Sequence, residues 1–316
     1  MKVFLNGKFI PEEKALVPIT THAFQYGTGC FEGIRAYYNE RENTLNIFRM
    51  KEHYERLLQS AKVLFINVPY TAEKLCKITT TLLKRNYSKQ DFYIRPFIYK
   101  SDTNIVNFHL PSLKDGIGIF TMPLGRFVDK AGGIRVNISS WTRIGDTSIP
   151  PRAKIMGSYV NTSLAKTESI LSGYDEALFM DKNGHIVEGS AENIFAVIND
   201  TLITPPSSED ILQGITRDTV IQIAQKEHGI EVKEKSISRT ELYQAAEVFL
   251  VGTGAEVLPV IEMDGRKVGN GKVGVLTNKI KTLYNQIVRG ENPDYRHFVT
   301  KVLIHKKSLH LGKKSV

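Results

Sequence analysis

Two glycine-rich turns and a pair of glutamates are the residues in this sequence best suited to chemistry. Leu212-Gln213-Gly214-Ile215-Thr216-Arg217-Asp218 brings a glycine and a hydroxyl to the start of an expected helix. The free N–H groups and positive dipole end at such a start attract an anion, phosphate above all. Val251-Gly252-Thr253-Gly254-Ala255-Glu256 ends an apolar run in a second glycine-rich turn with N–H groups able to hold an anion. Together the turns suit a ligand with two separate anionic groups, such as a phosphate and a carboxylate. Taken singly, each is ordinary loop chemistry. Glu188 and Glu192 sit in Ile186-Val187-Glu188-Gly189-Ser190-Ala191-Glu192-Asn193-Ile194-Phe195, between two apolar runs. They are either surface carboxylates or buried partners of a cation, and spacing does not choose. Lys154, in Arg152-Ala153-Lys154-Ile155-Met156-Gly157-Ser158-Tyr159, is one lysine among many, and nothing in its neighbours singles it out.

Other chemistries are absent from the pattern. Gly269-Asn270-Gly271-Lys272-Val273-Gly274 matches the dinucleotide fingerprint, but no following strand completes a βαβ unit. It reads as a turn feeding a helix. No Walker loop, G-x-S-x-G elbow or H-E-x-x-H is present, and Cys30 and Cys76 offer neither a disulfide framework nor metal spacing. Of the net charge of +9, six positive charges fall between Arg296 and Val316 without an acid among them. A solvated basic tail accounts for that, and no nucleic-acid-binding motif accompanies it. Apolar runs such as Val248-Phe249-Leu250-Val251 are far below the roughly 18 residues that span a bilayer. The expectation is a cytoplasmic globular protein with no metal, no membrane and no nucleic acid.

The elements that must position these residues follow from periodicity. A length of 316 residues suggests two domains. Strands are expected around an Asn6-Gly7 turn, helices over 50–65 and 72–85, and strands over 92–99 and 117–122. The glycine-bearing stretch 123–133 reads as an interdomain loop, dividing a small domain, 1–122, from a large one, 134–302, with a basic tail over 303–316. The second half alternates hairpins (177–180 with 185–187, 193–198 with 201–204, 247–251 with 257–262) with helices over 158–171, 216–228 and 273–288. Thr216 or a neighbour is the expected cap of the second of these. Hairpins mixed with helices make this α+β rather than a doubly wound parallel sheet.

Read in order, the segments 154–159, 188–195, 214–218 and 252–256 resemble the consecutive signatures of the fold-type IV, pyridoxal-phosphate-dependent aminotransferases. Tyr26-Gly27-Thr28-Gly29-Cys30-Phe31-Glu32-Gly33-Ile34-Arg35 and Tyr93-Ile94-Arg95-Pro96 resemble the branched-chain amino acid group within them. The resemblance covers nearly the whole chain. It implies a small α/β domain and a larger, barrel-like one with the cofactor between them, in homodimers or assemblies of dimers. It implies that the Lys154 amine joins the cofactor aldehyde and then moves a proton, that Glu188 faces the pyridine nitrogen, and that Tyr159 bonds the ring oxygen. Arg56, Leu212, Gly214, Ile215, Thr216 and Thr253 would complete the cofactor site. Tyr26, Phe31, Gly33, Tyr93 and Arg95, with the Thr253-Gly254-Ala255 turn, would hold amino acids and 2-oxo acids. Arg95 would take the glutamate side-chain carboxylate, which costs several kcal/mol to bury unpaired. Phe127 stands where many members carry a tyrosine. The resemblance points to exchange between leucine, isoleucine or valine and 2-oxoglutarate. D-amino-acid or (R)-amine transamination on the same fold, and a non-enzymatic basic binding protein, are the alternatives.

Overall fold

The computed structural model describes residues 1–125 and 132–303, so Arg126, Phe127 and the tail beyond Leu303 lie outside the described residues. The first sheet has eight strands centred on Phe92–Lys100. On one side of it come Ile34–Asn39, Thr44–Phe48 and Val299–Leu303; on the other come Asp115–Pro123, Lys2–Leu5 and Lys8–Pro11. Gly29–Phe31 also pairs with the central strand. Asn6 and Gly7 both have positive φ, which is what a two-residue hairpin turn with the strands' own twist requires. Period-2 alternation sends Phe92, Ile94 and Ile98 into the core, under helices Met50–Val63 and Ala72–Arg85. Tyr93, Arg95, Phe97 and Tyr99 fall on the opposite face.

The second sheet has ten strands, six of which close on themselves as a barrel. Around it run Asn193–Ile198, Glu247–Gly252, Glu256–Met263, Ile134–Ile138, Glu176–Met180 and His185–Gly189, and the Glu188–Asn193 pairing closes the ring. Branched and small side chains such as Val136, Ile194, Ala196, Leu250 and Val260 fill it, as a small barrel requires. Helices Ile215–His228 and Val275–Val288 lie outside it over the stacked Phe195 and Phe249 rings. Tyr37 and Phe48 of the first sheet join that same core, so the two sheets share one apolar seam.

The structure departs from the expected elements in ways that have physical causes. Ile34–Asn39 and Thr44–Phe48 have no visible alternation because both faces are covered. Polar groups on them bond inward: Asn46 Nδ2 donates to the Arg289 carbonyl at 2.6 Å, and Arg35 Nη2 to the Leu124 carbonyl at 3.1 Å. Val299–Leu303, at the end of the range read as the large domain, pairs with Thr44–Phe48 in the first sheet. Thr216 does not cap its helix. Gly214 is the N-cap residue, and Thr216 lies inside the first turn.

Candidate active site

Lys154 is held through its backbone by two elements of the first unit. Its N–H donates to Ser60 Oγ of helix Met50–Val63 at 3.1 Å, and its carbonyl accepts from the Phe31 N–H at 3.1 Å. An isolated bridge between Cys30 and Ile155 fixes the next residue. The Nζ amine lies 5.3 Å from the Phe31 ring centre and 5.4 Å from that of Tyr159. Among the described residues it makes no hydrogen bond or ion pair. An amine with a fixed backbone and a free end is arranged to react. Burial pushes the nearby Cys30 thiol up to about 12, with Glu32 adding to the effect, so that sulfur is no competing nucleophile.

Glu188 shares the cleft lined by Lys154, Tyr159 and Leu212. One of its oxygens sits 2.7 Å from Arg143 Nε; the other accepts from the Leu212 N–H at 3.1 Å and from Asn193 Nδ2 at 3.5 Å. Burial raises its pKa above the ordinary carboxylate value, while Arg143, the Leu212 N–H and Lys154 pull it down. A buried acid so poised suits a partner that carries a proton. Glu192 borders the same cleft, and burial beside Glu176 pushes it up to about 8.

The anion-binding end is built around Arg56. Its Nε and Nη2 donate to the two oxygens of Glu32 at 2.7 and 2.8 Å, and its Nη1 donates to the Gln213 carbonyl at 2.7 Å. Glu32 is fully buried and also meets His53 Nδ1 at 2.7 Å. Although burial alone would raise it, Arg56 and His53 hold its carboxyl far below the usual range. The guanidinium is thereby aimed at the start of helix Ile215–His228. There, among the described residues, no group accepts from the N–H groups of Ile215 or Thr216. Arg49 ties the two units together at this point, bonding Asp218 and Thr219 of that helix. A Cβ on Gly214 would lie 2.0 Å from Asn193 Oδ1, so only glycine lets the turn approach.

The remaining predicted residues form a second, more apolar chamber. Arg95 stacks its guanidinium 4.2 Å from the Phe31 ring centre and donates from Nη2 to the Tyr93 hydroxyl at 2.7 Å, while its buried Nε has no partner. Gly33 is required because a Cβ there would lie 2.4 Å from that hydroxyl. Phe31, Arg95 and Tyr159 line a cavity of about 440 Å³. The Thr253-Gly254-Ala255 turn closes the barrel hairpin just beyond the paired Val251 and Val257, at the end where Glu188 lies. Tyr26 is not brought to this site. Its hydroxyl donates to the Ile105 carbonyl at 2.9 Å and its ring packs on Phe108, at the surface.

Sequence reasoning missed three residues. Arg143 had no signal, because it reaches Glu188 only through the barrel. Glu32 and His53 had a weak one: an acid between two apolar strands, with a histidine and an arginine three residues apart on one helix. The donor set as a whole fits pyridoxal 5′-phosphate. Arg56 and an open helix start suit the phosphate, a free lysine amine suits the aldehyde, and a buried acid suits the ring nitrogen.

The model of the amino-transferase class IV family matches residues 29–263. The chain belongs to the class IV aminotransferases. The family uses pyridoxal 5′-phosphate. This aminotransferase is 48% identical over 302 residues to a probable branched-chain-amino-acid aminotransferase of Aquifex aeolicus, covering 95% of this chain and 96% of that one. It superposes with a TM-score of 0.91 on the branched-chain aminotransferase of Thermoproteus uzoniensis solved with norvaline, at 44% identity over 96% of this chain and 99% of that one. A TM-score of 0.90, at 34% identity over 95% of this chain and 98% of that one, relates it to the branched-chain amino acid aminotransferase of Thermobaculum terrenum in its PLP form.

Proposed function

We propose that this aminotransferase exchanges the amino group of L-leucine, L-isoleucine or L-valine with 2-oxoglutarate, giving branched 2-oxo acids and L-glutamate. One observation carries the reading: an apolar chamber beside Lys154 with a single guanidinium, Arg95, in its wall. The apolar lining receives an aliphatic side chain. Arg95, with an unpartnered buried Nε, receives the side-chain carboxylate of glutamate, so one chamber serves both half-reactions. Identity to named branched-chain relatives supports the same choice. One methylene more or less is worth about 1–3 kcal/mol in such a pocket, so all three branched side chains are accepted.

Bound pyridoxal 5′-phosphate supplies an aldehyde for amino exchange and a ring that takes up the electron pair left when Cα loses its proton. Lys154 moves that proton from Cα. Glu188, with Arg143 and the Leu212 N–H fixing its carboxylate, keeps a proton on the ring nitrogen. Tyr159 orients the ring through its hydroxyl. Arg56 and the N–H groups of Ile215 and Thr216, with Thr253, hold the phosphate, and the Thr253-Gly254-Ala255 turn with Tyr93 holds the α-carboxylate.

The enzyme works as a homodimer in this reading. Leu16, Ile19, Phe24, Val106 and Phe108 are all more than 60% exposed on the small unit, and a second copy covers such a face. The free thiols of Cys30 and Cys76 suit the reducing cytoplasm. Half-reactions followed by absorbance test the assignment. Arg95→Leu is expected to lower the rate with glutamate at least a hundredfold while leaving the rate with leucine within about fivefold. Equal losses with both substrates would remove Arg95 from its role. Lys154→Ala is expected to abolish both reactions.

A further inference from the structure

Two acids border the cleft beside Lys154, and the transamination steps occupy only Glu188. Glu192 closes the turn Gly189-Ser190-Ala191-Glu192 that joins His185–Gly189 to Asn193–Ile198, and it lines the same cleft as Lys154, Tyr159 and Glu188. Two bonds fix that turn: the Gly189 N–H donates to the Glu192 carbonyl at 2.6 Å, and Thr162 Oγ1 donates to the Ser190 carbonyl at 2.8 Å. The Glu192 side chain lies between two glycines. A Cβ on Gly189 would stand 3.0 Å from Glu192 Oε2, and one on Gly252 would stand 3.5 Å from Glu192 Cγ. Gly252 is the residue before Thr253-Gly254-Ala255, so the acid sits beside that turn. Glu192 Oε2 accepts from the Ala191 N–H at 3.0 Å, while Oε1 has no hydrogen-bond partner among the described residues.

We propose that Glu192 Oε1 is a further contact for the substrate α-carboxylate, beside the N–H groups of the Thr253-Gly254-Ala255 turn. The inference rests on the reading of that turn as the α-carboxylate site. Two carboxyl groups attract only when one of them carries a proton and donates it to the other. The groups around Glu192 make it the donor. Glu176 on the adjoining strand is paired with Lys166 and accepts from the Ala177 N–H, and Glu188 is paired with Arg143. Glu192 has no cation within ion-pair distance among the described residues. Burial first, then Glu176 and more weakly Glu188, push it up to about 8, against the Ala191 N–H and Lys166. Lys154 and Tyr159 are the other titratable groups facing the cleft. At neutral pH Glu192 therefore brings a donor and no charge to the substrate anion. Once ionised, it brings a charge that repels that anion and loses the donor.

The test is the inhibition constant of 4-methylpentanoate against L-leucine turnover by the holoenzyme, measured from about pH 6.5 to about pH 9.5 so as to bracket the Glu192 titration. This probe has the leucine carbon skeleton, stays ionised over that span and has no amine to titrate. In the wild type the constant is expected to rise at least tenfold from the lower pH to the higher. In Glu192→Gln, which keeps a donor and cannot ionise, the rise is expected to be at least fivefold smaller, because any other titration of the site is common to both proteins. Glu192→Ala, with no donor, is expected to bind the probe about tenfold more weakly than Glu192→Gln at the lower pH. Equal rises in the wild type and Glu192→Gln would overturn the inference. So would a loss of pyridoxal 5′-phosphate affinity in Glu192→Ala as large as its loss of probe affinity, which a merely structural role would produce. No turnover of leucine by the wild type would overturn the functional reading beneath it.

Discussion

Two helices of the large unit begin alike and end up with opposite duties. Both Ile215–His228 and Val275–Val288 start after a glycine in extended conformation with no side-chain cap of its own. At Val275–Val288 the Glu247 carboxylate accepts from the Leu276 N–H at 3.0 Å and the Thr277 N–H at 2.7 Å, so the dipole end is neutralised by the protein itself. At Ile215–His228 no carboxylate among the described residues takes the Ile215 or Thr216 N–H, and a guanidinium, Arg56, donates to the Gln213 carbonyl just ahead of the helix. Paired with Glu32, that guanidinium leaves the N–H groups of Ile215 and Thr216 without a carboxylate among the described residues, so an external anion is the group that completes this helix start. The comparison explains why one glycine-led turn reads as a binding site and the dinucleotide-like Gly269–Gly274 motif does not. The difference lies in whether a distant strand delivers a carboxylate to the helix N–H groups.

The largest expected effect comes from removing the guanidinium at the open helix. Arg56→Leu leaves the fully buried Glu32 paired only with His53, and breaking such a pair costs about 3–5 kcal/mol. Cofactor affinity is expected to fall at least a hundredfold, measured by absorbance titration, and the apoprotein melting temperature to fall with it. Unchanged apoprotein stability would mean that the buried pair is not what holds Arg56. A pH effect follows with a definite sign. Glu32 is held below its unfolded value, so its contribution to stability is fully present above the ordinary glutamate range and is lost as pH falls from there toward its depressed folded value. Glu32→Gln is therefore expected to flatten the acid limb of the stability profile.

A matched pair of substitutions sharpens the contrast further. Gly214→Ala drives a Cβ toward the buried Asn193 carboxamide at 2.0 Å, and Asn193 cannot move without disturbing Glu188 and Leu212. It is expected to weaken cofactor binding tenfold or more. Gly274→Ala drives its Cβ into Glu247 instead, displacing the internal cap and lowering stability with no change in cofactor affinity. Should both variants lose cofactor equally, the two helix starts are not functionally distinct. The smallest effect is expected of Glu247→Gln, which keeps an acceptor but loses the charge. It should cost about 1 kcal/mol in denaturant unfolding, with activity retained.

Much of the framework was legible because it depends on local spacing. Helix Ala72–Arg85 matches the apolar stripe of Leu75, Ile78, Leu82 and Leu83, and Thr71 caps it through its hydroxyl, 3.3 Å from the Lys74 N–H. Lys154 and Glu188 were reached through ordered motifs, whose specificity lies in their combination, and Arg56 only through what the family resemblance implies for the helix that carries it. What was not legible depends on contacts between distant segments. Arg143 meets Glu188 beside the neighbouring strand Glu176–Met180, Arg49 meets Asp218 across the seam, and Val299–Leu303 crosses back to the first sheet. Tyr26 is a motif residue whose side chain the fold turns outward, onto Phe108.

The sequence by itself determined where helices and hairpins form, which glycine-led turns could offer backbone N–H groups, and which lysine and acids are set in family-like order. Those properties follow from periodicity, backbone freedom and residue chemistry over a few neighbours. Only the tertiary structure decided which helix start receives a carboxylate and which amine is left unpaired. Pairing and burial are relations between segments many residues apart, and they exist only once the barrel closes and the two sheets meet along their common core.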